Sequence, residues 1–362
     1  MSWKGVEILS MEPKLSQYLH SKAIKRNIPV SGTFELTSRC NFQCEMCYVH
    51  DECHNKDKLS TEQWLSIAEE AKKAGTLFLL LTGGEPLARE DFPFLYTELK
   101  KMGFMISLNT NGSLVHKHLE LFKKYPPTRV NISLYGADEE TYESLCKNKA
   151  FSKVLENMRA LKDMGLSVKF NTVFTNRNSH QYKEIVNIAE TLDVPLNTTA
   201  YVYPQVRLDK DFSENSGRMS PYDAAKCTVE CEKYRFRNAD FSARAEAILK
   251  TPDDERCDRV SCRAGRASYW ITSEGVMQPC GMLPKIQINV LDEGFENAWK
   301  QLVAGVGEIR LPKKCTSCKF SNICHSCAAM CYTETGKFDE APEYVCRMSE
   351  AIYKLTKKEQ GE

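Results

Sequence analysis

The placement of sixteen cysteines constrains this chain more than any other feature of its sequence. Three of them, Cys40, Cys44 and Cys47, form a C-x3-C-x2-C pattern within eight residues. Nine lie in 257–346, and only Cys53, Cys146, Cys227 and Cys231 stand between the two groups. The opening MSWKGVEILSMEPK is broken by charges and does not read as an export signal. Clustered thiols in a reducing compartment bind metal or carry electrons rather than pair as disulfides. A formal net charge of +1 gives no electrostatic case for nucleic acid or an anionic membrane surface. No apolar run reaches the roughly 18 residues of a membrane span. The expectation is a cytoplasmic protein, with no nucleic-acid partner and no membrane contact, that holds two separate thiol centres.

Between the centres the chain reads as repeated strand–helix units. Strands are expected at 33–38, 76–82, 104–110, 129–135, 167–175 and 195–203. The second, TLFLLLT, is a continuous apolar run of the kind buried on both faces of a parallel sheet. A helix is expected to start at Ser60, with Gln63 completing a capping box and Trp64, Ile67, Ala68 and Ala71 at helical spacing. Others are expected over 90–102, 116–124, 139–164 with a break near Asn148, and 180–192. Such alternation predicts an α/β fold with a parallel sheet. Ligands of these sheets bind beyond the carboxyl ends of the strands. The cysteine loop follows strand one, Gly83-Gly84-Glu85-Pro86 strand two, and Asn109-Thr110-Asn111-Gly112 strand three, so all three would share one mouth.

Three thiols are one short of the usual four-ligand site. A cubane iron–sulfur cluster held by three cysteines keeps one iron open, and an open position is what a catalytic metal needs. The competing readings are three buried thiols with no ligand, or a zinc site completed by His50 or His54.

Cys40, Cys44 and Cys47 after a first strand, with Gly83-Gly84-Glu85-Pro86 after a second, resemble the radical S-adenosylmethionine (AdoMet) enzymes. The resemblance spans roughly residues 30–205. It implies a partial (β/α)6 barrel, a [4Fe–4S] cluster on the three cysteines, and AdoMet chelating the open iron. A reductant of the flavodoxin or ferredoxin type would supply the electron. The cofactor would carry the hard chemistry, and the barrel would position it and exclude water. AdoMet contacts are implied at Gly83, Gly84, Glu85, Pro86, Asn109, Ser133 and Asn171. The competing reading for Ser133 and Asn171 is that of satisfied polar groups at strand ends. The family carries an aromatic residue before the third cysteine, near the adenine; here Met46 stands there, a thioether that packs on rings.

The second group is Cys262-x12-Gly275-x4-Cys280, then Cys315-x2-Cys318-x5-Cys324-x2-Cys327-x3-Cys331, then Cys346. It is similar to the SPASM extension of that family, which holds two auxiliary [4Fe–4S] clusters. The one departure follows Cys324, where the family has three residues before its next cysteine and this chain has two before Cys327 and three more before Cys331. The resemblance implies a first auxiliary cluster on Cys262, Cys280 and either Cys327 or Cys331, with Cys257 as upstream ligand. It implies a second on Cys315, Cys318, Cys324 and Cys346. A zinc ribbon on Cys315, Cys318, Cys324 and Cys327 competes, but ribbons separate their pairs by about 15–20 residues. A hairpin is expected in 267–278 around a Ser273-Glu274-Gly275 turn.

The expected organisation is an N-terminal extension (1–30), a partial barrel (31–205), a connector (206–256), an auxiliary-cluster domain (257–350) and a tail (351–362). The resemblance implies hydrogen abstraction from a peptide, giving a crosslink or another net oxidation in the maturation of a ribosomal peptide. Sulfatase-maturating members carry an Asp after the cysteine matching Cys280, and Gly281 in that place argues against formylglycine formation. Only about 30 residues precede strand one, so a leader would be bound by the barrel, the C-terminal domain or a separate protein. The alternatives are the same radical chemistry on a small molecule, such as alcohol dehydrogenation in cofactor or sugar biosynthesis, and a noncatalytic electron carrier. Of the four remaining thiols, Cys227 or Cys231 is a candidate hydrogen donor or extra ligand, and Cys146 and Cys53 are expected near the mouth. An idle thiol is the competing reading for each.

Overall fold

The expected strand–helix repeats build one continuous sheet. The computed structural model describes residues 14–48, 57–204, 217–237, 239–250 and 257–358. Six parallel strands come first: β1 (Ser31–Glu35), β2 (Phe78–Thr82), β3 (Met105–Thr110), β4 (Arg129–Ser133), β5 (Val168–Val173) and β6 (Leu196–Thr199). Three more follow far along the chain: β7 (Ser268–Ile271), β8 (Val276–Gln278) and β9 (Ile288–Asn289). Their order is β6-β5-β4-β3-β2-β1-β7-β8-β9, an open sheet with β6 and β9 at its edges. The fold is α/β, an open and mostly parallel sheet with a cysteine-rich C-terminal region.

Local sequence explains the helices. Ser60 caps Thr61–Lys73, its side chain accepting from Gln63 N–H while the Gln63 side chain accepts from Ser60 N–H. That helix buries Trp64, Ile67, Ala68 and Ala71 against the sheet, and Trp64 meets the Phe34 ring at 5.0 Å. The break near Asn148 is present: Glu139–Cys146 ends at Lys147, whose φ of 54° is left-handed, and Phe151–Asp163 begins a new helix.

The hairpin of β7 and β8 also forms, with Gly275 N–H donating to Thr272 C=O. Its partner is the unexpected part. β7 pairs in parallel with β1, Thr33 opposite Trp270 and Phe34 opposite Ile271. The C-terminal region therefore extends the barrel sheet. The helices Pro221–Arg235 and Glu343–Lys358 pack on each other and add a second link between the two ends of the chain.

The sheet has two unlike faces. Leu108, Val130, Ile132 and Phe170 are wholly buried under the helices. The alternate residues Asn109, Asn131, Ser133, Lys169, Asn171 and Asn197 pair across strands as a polar stripe on the other face.

Candidate active site

The cysteine loop leaves the carboxyl end of β1 and is tied to three neighbouring segments. Thr37 C=O accepts from Gly84 N–H at 2.7 Å, and Arg39 C=O from Glu85 N–H at 2.8 Å. These contacts explain the two glycines. A Cβ on Gly84 would stand 2.2 Å from Arg39 O, and one on Gly83 2.5 Å from Thr37 O. Gln43 and Glu45 donate backbone N–H groups to the Cys146 and Leu145 carbonyls at the end of a helix. Glu45 is paired with Lys147 at 2.6 Å and also with Arg177. Asn148 Nδ2 donates to Asn41 O at 3.1 Å.

Glu85 is fully buried, and both of its oxygens are occupied by the protein. Oε1 accepts from Leu87 N–H at 3.0 Å and Thr110 Oγ1 at 2.8 Å, and Oε2 from Asn111 N–H at 2.7 Å. Burial raises its pKa to about 7, against the lowering effect of those donors. Glu85 thus joins the loops after β2 and β3. Asn111 continues the link, its Nδ2 reaching Asn41 Oδ1 at 2.8 Å and Cys40 Sγ at 3.9 Å. Phe42 N–H also points at Cys40 Sγ, at 3.4 Å.

The donor set suits a highly charged metal centre. Burial pushes the Cys40 thiol up to about 12, and Glu85, Cys44 and Cys47 add like-charge repulsion. Cys44 is raised too, first by its hydrogen bond with the buried Cys146 and then by burial. Such thiols keep their protons at neutral pH unless a cation ionises them, as iron does. Among the described residues no three His, Cys, Asp or Glu side chains are drawn together as one metal ion would draw them. A cubane spreads its ligands over separate irons and does not require that convergence.

The polar stripe offers what an organic cofactor would use. Asn131 Nδ2 donates to Asn109 Oδ1 at 2.7 Å, but Asn131 Oδ1 and Asn171 Oδ1 are buried without a partner. Orphaned buried acceptors are costly and mark places for a ligand. Ser133 hydrogen-bonds Tyr135, whose phenol is raised by burial and by Cys44 and Cys47 nearby. Tyr135 therefore joins the end of the stripe to the thiols. Pro86 opens a short 3-10 turn next to Glu85. Met46 is turned into the apolar core, and the ring beside the loop is Tyr48, edge-on to Trp270 at 6.4 Å. Trp270 Nε1 donates to Glu35 Oε2 at 2.9 Å, and its ring lies 3.1 Å from where a Cβ on Gly281 would stand. Glu35 and Trp270 carry no sequence signal, because their contact comes from the register between β1 and β7.

Cys227 and Cys231 are not brought to this mouth. They stand on one face of Pro221–Arg235, buried behind the sheet, and Cys231 hydrogen-bonds Thr198 on its helix-facing side. Burial pushes both up to about 12. Cys146 is wholly buried beneath the cysteine loop. Cys53, His50 and His54 lie outside the described residues.

The C-terminal thiols fall into two neighbourhoods. Cys280 has Cys327 and Cys262 as its charged neighbours. Cys346 has Cys324, Cys315 and Cys318. Cys331, 1% exposed, faces Cys315, Cys324 and Cys346 as well as Cys327. Cys257 is exposed, its thiol on Arg259 C=O at 3.7 Å.

Residues 34–189 match the family model of the radical SAM superfamily. That match spans the loop of Cys40, Cys44 and Cys47 and the Gly83–Pro86 segment. Among curated proteins it is similar to an AdoMet-dependent heme synthase of Methanosarcina barkeri, at 25% identity over 88% of this chain and 96% of that one. A probable GTP 3',8-cyclase of Saccharolobus solfataricus is 34% identical over 44% of this chain and 52% of its own length. Among solved structures it is similar to SuiB of Streptococcus suis bound to AdoMet (TM-score 0.68, 18% identity, 91% of this chain and 80% of that one). The AdoMet-bound anSMEcpe is also similar (TM-score 0.70, 18% identity, 92% and 96%). Among the described residues no helix is long and apolar enough to cross a membrane.

Proposed function

We propose that this chain cleaves AdoMet reductively and abstracts hydrogen from a peptide, in a reaction whose net result is oxidation. The observation that carries this is the three-thiol loop, locked by Glu85 and linked through Tyr135 to Ser133, whose register partner Asn171 and neighbour Asn131 hold unpartnered amide oxygens. Cys40, Cys44 and Cys47 would hold the [4Fe–4S] cluster, whose chemistry when bound is one-electron cleavage of AdoMet to a 5′-deoxyadenosyl radical. Asn131, Ser133 and Asn171 would bind and orient the nucleoside part. The backbone of the loop held by Gly83 and Gly84 shapes the methionyl side. Trp270, held by Glu35, forms an aromatic wall towards the C-terminal thiols.

The thiol neighbourhoods support two auxiliary clusters, a first on Cys262, Cys280 and Cys327 and a second on Cys315, Cys318, Cys324 and Cys346; the exposed Cys257 would have to move in to complete the first. In that division Cys331 is a spare buried thiol. An auxiliary cluster would take the electron that an oxidised substrate radical gives up. The peptide reading draws support from fold neighbours solved with peptides bound, SuiB with the precursor peptide SuiA and anSMEcpe with Kp18Cys. A second reading, a small-molecule substrate, is favoured by the heme synthases, which match along most of their length.

The test is 5′-deoxyadenosine formation under strict anaerobiosis, with the Cys40/Cys44/Cys47→Ala variant as control. Product from the native chain only is expected. Stimulation by short Cys-rich or Gly-rich peptides supports the peptide reading, and stimulation by a porphyrin precursor instead replaces it. An iron-loaded native protein that forms none with any candidate overturns the proposal.

A further inference from the structure

We propose that Tyr203 donates a hydrogen bond to the Cys327 sulfur of the first auxiliary cluster and so raises the reduction potential of that cluster. The inference rests on the auxiliary-cluster assignment above.

Tyr203 leaves the barrel just after β6 and packs against both apolar cores, the large one under the sheet and the small one around Leu283, Val306, Ile309 and Ala328. Its hydroxyl lies 3.9 Å from Cys327 Sγ, at the outer reach of an O–H···S hydrogen bond. A phenol is protonated at neutral pH, and an iron-bound thiolate sulfur carries no proton. A neutral phenol beside a thiolate has only one role, that of donor. The ring is held in place. Tyr201 meets it edge-on at 4.8 Å and is itself anchored by its hydroxyl to Glu334 at 2.6 Å. Glu334 also pairs with Arg218, whose guanidinium lies 3.6 Å over the Tyr344 ring. This set of side chains fixes the barrel exit against the helix Ala328–Thr335, which begins right after Cys327.

Hydrogen bonds to cluster sulfurs set iron–sulfur potentials. A donor stabilises the reduced form, which carries the extra negative charge, more than the oxidised one. Tyr203 would therefore make the cluster a better acceptor for an electron leaving the substrate.

The experiment uses the full chain carrying Cys40/Cys44/Cys47→Ala, reconstituted anaerobically, so that only auxiliary clusters remain and AdoMet chemistry plays no part. EPR-monitored redox titration follows each cluster. In a Tyr203→Phe version one auxiliary signal should titrate at a more negative potential, with iron content and the other signal unchanged. Tyr201→Phe should leave the first signal where it was. Should Tyr203→Phe lose iron, 3-fluorotyrosine placed at 203 is the second measurement: a stronger donor of the same shape should move the signal to more positive potential. An unmoved signal, or an equal shift of both, overturns the proposal. So does background protein with no auxiliary iron, and that result would leave AdoMet cleavage by the native chain to be judged on its own.

Discussion

Glu85 is a carboxyl group whose burial costs more than its three donors return. Its pKa of about 7 lies above its ordinary value of 4.5. The folded protein then binds more protons than the unfolded chain between those values, so stability falls as pH rises through the window. The size is on the order of 3 kcal/mol. Denaturant unfolding of the iron-free protein should show stability present at pH 5 and lost by pH 8. Glu85→Gln should flatten that profile, and an equally steep profile in the variant would show another group to be responsible. Gly84 gives a second prediction at this scale. With Arg39 O 2.2 Å from its Cβ position, Gly84→Ala must push apart two backbone segments that neither side can yield. Iron bound at Cys40, Cys44 and Cys47 should fall severalfold, while auxiliary iron in the same preparation is retained.

Elements differ in how much of them the sequence displayed. Strands β1 to β6 and their helices were legible because their signals are local: apolar runs, a capping box and helical spacing within one segment. The break at Lys147 was legible through its neighbour Asn148. The thiols of the site were legible for the same reason. Pairing of β7 with β1 was not, since no local pattern in SYWI says which strand lies beside it. Glu35 and Trp270 stayed hidden with it. The two C-terminal thiol neighbourhoods follow groupings that the cysteine spacing suggests, but the separation of Cys327 from Cys331 needed the fold of Ala328–Thr335, whose first turn carries Cys331 away from Cys280. The helix Thr61–Lys73 supplies a stability prediction. Trp64 is wholly buried, and Trp64→Ala should cost about 3–5 kcal/mol in denaturant unfolding. Ser60→Ala, which removes only the cap, should cost about 1 kcal/mol. Equal costs would mean that the helix is held by its end rather than its face.

At the scale of the molecule, the C-terminal region is part of the barrel. It supplies the strand beside β1, and the helix Glu343–Lys358 covers Pro221–Arg235. A fragment ending at residue 256 would expose one edge of β1 and one side of that helix. Such edges recruit other chains. The fragment should aggregate or be cut rapidly by protease, whereas the full chain resists. A soluble fragment with a cooperative unfolding transition would contradict this account.

The β1–β7 pairing also sets a timetable. Ser31 and its partner Ser268 are 237 residues apart in the chain. At about 5–20 residues per second, the ribosome delivers β7 roughly 10–50 seconds after β1. For that interval the strand that leads into the cysteine loop has one open side. Contacts between such distant segments also form slowly once both are available. A cell making this protein must therefore shelter a nascent intermediate with an unfinished sheet edge right beside its three-thiol loop.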